Sequence, residues 1–180
     1  MTDHPASPLP EPRRVTAADN PKLRAAEESQ RVDLGAFAAR FLVWSEETGG
    51  GFSMVEHPIP PRTLAAPLHR HSREDEYSVV LEGRLGVLLG DEVIHANPGE
   101  VVFKPRGQWH TFWNAGDIEC RMLEVISPGG FEHMFWQMGH DPAAFVGDAA
   151  ADMDARYGLD VDYHSIDRLC REHGLTFPEE

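Results

Sequence analysis

Four residues in this chain have the types and spacing to hold a divalent metal. His69 and His71 are separated by one residue, Glu76 follows five positions after His71, and His110 closes the later stretch Pro105-Arg-Gly-Gln-Trp-His110. Three imidazoles and one carboxylate are a usual ligand set for a transition metal. Alternate side chains of a strand share a face. His69 and His71 would therefore point the same way, about 7 Å apart along the backbone at roughly 3.3 Å per residue. Two imidazoles at that separation can converge on one ion. Three protein nitrogens and one oxygen leave one or two positions open on a five- or six-coordinate ion, as in a catalytic rather than a structural site. Iron and manganese suit such ligands best, and nickel, cobalt or zinc also fit.

These residues need a frame, and the surrounding pattern describes one. Residues 36–44 read as a strand, 46–51 as a turn and 52–56 as the returning strand, after which Pro58-Ile-Pro-Pro61 breaks the regularity. Further short strands are expected at 77–81, 84–89, 92–96, 101–104, 109–113 and 119–126, divided by Gly, Pro and Asn turns. Short strands with turns at such intervals mark an all-β sandwich or barrel. After Ser127-Pro-Gly-Gly130 the period becomes helical, with Phe131, Met134, Phe135 and Met138 on one face as core packing. Further helices are expected from Asp148 to Tyr157 and over 165–172. The expected organisation is a disordered tail at 1–12, an N-terminal extension at 13–34 with a short helix from Asp19-Asn-Pro21, a barrel at 35–130 and a helical segment at 131–180.

Composition narrows the function. The 16 basic and 30 acidic residues give a formal charge of −14, which disfavours nucleic acid and anionic membrane surfaces as partners. No secretory leader pattern or apolar run of membrane-spanning length is present, so a cytoplasmic protein is expected. Cys120 and Cys170 read as reduced thiols, with a single disulfide as the alternative.

The stretch from Thr63 to Asn114 resembles the cupins, small β-barrels defined by two linked motifs. His69-Arg-His71, four residues, Glu76, six residues and Gly83 fit the first motif, with Thr63 in place of its opening Gly. Gly99, Pro105-Arg-Gly107, His110 and Asn114 fit the second at every defined position, and fifteen residues separate Gly83 from Gly99. The resemblance covers 52 residues. It implies a jelly-roll barrel of two antiparallel sheets, a homodimer in which the hairpin at 36–56 lends strands to a partner, and metal ligation by His69, His71, Glu76 and His110. It also implies a quercetinase-like dioxygenase acting on an enol or phenol, with Glu76 doubling as base. Two alternatives stand beside it: a non-redox isomerase, lyase or cyclase using the metal as Lewis acid, and a metal-containing small-ligand binding protein.

Other residues are assigned by strand alternation. Phe112 shares the His110 face and should wall the pocket, whereas Trp109, Trp113 and Arg70 face away. Glu124 shares a face with Met122 and Ile126 and is either an inward acid or an outward charge paired with Arg121 or Arg106. Among the three adjacent acids, Glu76 is the expected ligand and Glu74 is expected to be solvated or paired with an arginine. Lys104 and Arg106 flank Pro105 near the rim and receive no role.

Overall fold

The computed structural model describes residues 9–12 and 29–178. The barrel strands are β1 (Arg31–Asp33), β2 (Ala38–Val43), β3 (Ser53–Ile59), β4 (Leu68–His71), β5 (Asp75–Glu82), β6 (Leu85–Leu89), β7 (Glu92–Ala96), β8 (Val101–Lys104), β9 (His110–Asn114) and β10 (Cys120–Ser127). Helix α1 (Glu132–His140), helix α2 (Asp148–Tyr157), strand β11 (Leu159–Asp162) and helix α3 (Ser165–His173) follow. A six-stranded sheet in the order β1-β2-β3-β10-β5-β8 faces a five-stranded sheet in the order β11-β4-β9-β6-β7. Every pairing within the two sheets is antiparallel. This is the jelly-roll barrel with peripheral helices expected from the sequence.

Alternation sets what each strand turns inward. On β10, Cys120, Met122, Glu124 and Ile126 are buried, and on β5 Glu76, Ser78 and Val80 are buried while Tyr77 and Leu81 are exposed. Between the sheets, Ile59, Val80, Leu85, Val87, Val102, Phe112 and Met122 form the apolar core. Burying side chains of this size contributes about 1.5–3 kcal/mol each.

Three elements depart from the sequence reading. Strand β3 runs through Pro58 to Ile59, because β10 pairs with it along its whole length, Cys120 opposite Ile59. The segment after residue 131 is not purely helical or peripheral, since β11 pairs with β4, Val161 opposite His69 and Leu159 opposite His71. A four-residue strand between two helices has too few residues to show a period, and its identity depends on the edge of β4. At the other end, β1 pairs with β2, so residues 31–33, read as part of an N-terminal extension, join the barrel sheet. Residues 1–8 and the helix proposed from Asp19 lie outside the described residues. Within the tail, Leu9–Pro12 has no regular secondary structure, yet the Trp136 indole donates to the Pro10 carbonyl at 2.9 Å, which anchors a segment expected to be disordered.

The motif glycines and Asn114 act as expected. Gly83, Gly99 and Gly107 all have positive φ, and Gly107 donates its backbone N–H to the His71 carbonyl at 2.7 Å. That bond ties the turn before His110 to the strand carrying the His pair. The Asn114 amide donates to Ile59 and Ile118 carbonyls, closing the following turn. Cys120 and Cys170 are free thiols.

Trp113 turns away from His110, packs beneath α3 with Leu64 and Leu169, and stacks on the His173 ring at 4.4 Å. Its indole lies against Gly86, where a Cβ would overlap the ring. Gly86→Ala is therefore expected to destabilise the fold by about 1–3 kcal/mol through overpacking. A lower urea midpoint measures it, and a midpoint equal to wild type would show that the indole shifts freely.

Candidate metal centre

The antiparallel pairing of β4 with β9 sets His69 directly opposite His110. Alternation then brings His71 to the same face. The three rings meet with centroids 4.4 Å (His69–His110), 5.2 Å (His69–His71) and 5.4 Å (His71–His110) apart. One ligating atom from each of the three lies within 4.8 Å of the others. The Nδ1–H of His69 donates to the Pro67 carbonyl at 2.8 Å and that of His110 to the Gln108 carbonyl at 3.0 Å. A protonated, backbone-bonded Nδ1 fixes the tautomer in which Nε2 carries the free lone pair, the form that ligates metals.

Glu76 enters from the facing sheet. Its Oε1 lies 3.4 Å from His71 Nε2 and its Oε2 3.2 Å from His110 Nε2. The Nε2 atoms of His71 and His110 are buried and have no hydrogen-bond partner among the described residues. Buried nitrogens without partners are costly, and a cation shared among them removes that cost. The donor set therefore fits a divalent ion with nitrogen and oxygen ligands. Burial, followed by the neighbouring His110 and His71 rings, holds the His69 imidazole well below its ordinary pKa. Burial would raise the Glu76 carboxyl, but Lys104, then His71 and His110, outweigh it and hold it well below the usual carboxylate range. A neutral His69 and an ionised Glu76 are the protonation states that ligation requires.

The other acids separate as their partners dictate. Asp75 faces away and takes a two-pronged ion pair with Arg106, whose hydrogen bonds lower its carboxyl to about 2. Glu74, expected to be solvated or paired with an arginine, is instead buried, 3.6 Å from His71 Nδ1. Glu124 points inward, not outward, on the buried face of β10, and Arg121 pairs instead with Glu56 and Glu82. Its partners are Ser78, which donates at 3.1 Å, and Lys104 at 3.0 Å. Lys104 is the clearest departure from the sequence reading. It lies at the end of β8, opposite Glu76 in register, and is only 1% exposed. Alternation with buried Val102 was the signal for it, and the neighbouring Pro105 obscured that signal.

The metal site opens on a cavity of about 520 Å³. His69, Glu76, Phe112 and Glu124 reach its wall, and Phe131, Met134, Phe135 and Met138 line it from the segment around α1. The aromatic and Met stripe read as core packing thus also forms a pocket surface.

His57 is a cavity residue that strand reading missed, because the returning strand was ended at Glu56. Continuing the alternation of Val55 would have found it. Its Nδ1–H donates to the Ala38 carbonyl at 3.1 Å, and its Nε2 has no hydrogen-bond partner among the described residues. Phe37 and Phe135 meet the ring edge-on at 4.9 and 5.0 Å. Burial lowers the imidazole from the ordinary 6.5 to about 4. The unfolded chain therefore binds this proton before the folded chain does. His57 should contribute a loss of stability as pH falls from about 6.5 to about 4, on the order of 3 kcal/mol. Denaturant melts of wild type and His57→Gln across that window should show a shallower slope for the variant. Parallel slopes would exclude His57 as the source.

The molecule is thus a double-sheet barrel in which three imidazoles and a carboxylate converge beside an inner cavity, with donors that fit a divalent ion. Residues 56–126 match the Cupin_2 family, so the chain carries a cupin domain over that stretch. Cupins commonly bind a metal. The chain is 35% identical over 60 residues to the tetracenomycin polyketide synthase protein TcmJ of Streptomyces glaucescens, a stretch covering 33% of this chain and 40% of that protein. Less than half of that relative's length is therefore matched. The polyketide cyclase RemF of Streptomyces resistomycificus superposes with a TM-score of 0.51 at 28% identity, over 59% of this chain and 78% of that one. A predicted oxalate decarboxylase of Thermotoga maritima shares the fold, with a TM-score of 0.54 at 20% identity over 59% and 98% of the two chains. No helix among the described residues is long and apolar enough to cross a membrane.

Proposed function

We propose that this protein is a metal-dependent cupin enzyme for non-redox chemistry, a cyclisation or isomerisation of an apolar, enolisable ketone. The observation that carries the proposal is the three-imidazole, one-carboxylate cluster, of which His69 and Glu76 reach the wall of a largely apolar cavity that Phe112, Phe131, Met134, Phe135 and Met138 also line. Such a cavity binds an extended apolar substrate and excludes water. A divalent ion bound by His69, His71, His110 and Glu76 supplies Lewis acidity toward a carbonyl oxygen. Glu76, ionised by its surroundings, accepts a proton from the carbon beside that carbonyl. His57 offers a neutral acceptor for a substrate hydroxyl, and Phe112 and Phe131 hold flat substrate faces. The likeness to polyketide-related cupins supports this choice over the dioxygenase expected from the sequence, because the same ligands serve either chemistry.

The test is turnover of a linear aryl polyketone by metal-loaded protein, in air and under nitrogen. Equal rates of ring closure or isomerisation in both are expected. Oxygen consumption matching product would carry the dioxygenase reading instead. Tight binding of the polyketone with no product would leave a small-ligand binding protein.

A further inference from the structure

Lys104 makes the most unusual use of charge in the barrel. Its ammonium is 2.8 Å from Glu76 Oε2 and 3.0 Å from Glu124 Oε2, and it lies 4.8 Å over the Phe112 ring. The Glu76 oxygen that meets Lys104 is the one 3.2 Å from His110 Nε2. One carboxylate oxygen is therefore shared between a fixed cation and the nitrogen cluster. The lysine has little freedom to leave. Glu124 holds it from β10, across the intervening β5, Ser78 of β5 donates to both Glu124 oxygens at 3.1 and 3.2 Å, and burial excludes water as a replacement partner. Burial alone would discharge the ammonium, but Glu124 and then Glu76 outweigh it and raise its pKa.

We propose that Lys104, anchored by Glu124 and Ser78, is a positioning residue that competes with the metal for the Glu76 carboxylate. The competition keeps Glu76 a weak ligand, available as a proton acceptor, and Glu124 sets its strength. With Glu124 ionised, the ammonium divides its attraction between two carboxylates. With that charge removed, the whole attraction falls on Glu76. The inference rests on the metal-centred reading above and assigns Lys104 and Glu124 a part in it.

The two residues then have opposite effects on metal affinity, which a purely structural ion pair does not. Zn²⁺ dissociation constants from chelator competition are the readout, with thermal melts confirming that each variant is folded. Glu124→Gln is expected to weaken Zn²⁺ binding by about ten-fold, the scale of outer-shell effects on metal sites. Adding Lys104→Met to Glu124→Gln removes both charges of that pair and leaves the buried Glu76 carboxylate without its ammonium, free for the metal. That double variant should bind Zn²⁺ about ten-fold or more tighter than Glu124→Gln alone. A double variant that binds no tighter than Glu124→Gln overturns the competition. So does a Glu124→Gln protein with wild-type affinity. Wild-type protein that takes up no Zn²⁺ overturns the metal reading and this inference together, whereas wild-type uptake with unmoved variants overturns the inference alone.

Discussion

Replacing His110 with alanine is expected to cost the protein its metal, with affinity for a divalent ion falling at least about 100-fold. Loss of an outer-shell partner already costs a metal site 10–100-fold, and His110 is proposed to ligate directly. Its ring completes the triad, and its Nε2 lies 3.2 Å from the Glu76 oxygen that Lys104 also meets. Without it, two imidazoles and a partly engaged carboxylate remain. The fold should survive, because the backbone pairings of β9 with β4 and β6 do not depend on the imidazole. Elemental analysis of purified His110→Ala, beside wild type and the exposed-site control His95→Ala, measures the effect. Stoichiometric metal in His110→Ala at wild-type affinity would remove His110 from the ligand set.

The second large effect is expected at Glu76. Glu76→Gln keeps the shape of the side chain and an oxygen able to ligate, but loses the anion. Lys104 then retains only Glu124 as a counter-charge. Loss of a positioned proton acceptor costs about 10²–10⁴-fold in rate, so kcat for the polyketone test reaction should fall by that range. Metal content should persist, because all three imidazoles remain. Unchanged kcat in a metal-replete Glu76→Gln protein would show that the proton goes elsewhere, with His57 the next candidate. Loss of metal together with rate would assign Glu76 to ligation and leave its role as base without support.

The ligand residues and the barrel were both legible in the chain, for one reason. The period of a strand is two, so His69 and His71 must share a face, and the glycines and prolines around them mark where strands turn. Those are local rules, and they hold within a few residues. The same rules reached Phe112, and the six-residue spacing of Glu76 from Gly83 in the resembled motif singled it out among three acids. They failed where a neighbour distant in sequence decides. Strand β11 exists because β4 has an edge for it to pair with, and nothing within Leu159–Asp162 announces that. Glu74 looked solvated because its burial beside His71 comes from the folded surroundings, not from its own stretch.

Charged residues show the division most clearly. By itself the sequence determined which side chains lie on one face of each strand, and therefore which imidazoles and carboxylate can meet. It did not determine whether a given face carrying a charge turns into the barrel. Glu124 and Lys104 are each too costly to bury alone. They are buried because β10, β5 and β8 are neighbours in one sheet, so that Ser78, Glu76 and each other satisfy them. Only the tertiary structure brings those strands together, and the resulting pairing energy reverses the outward preference that each residue has in isolation.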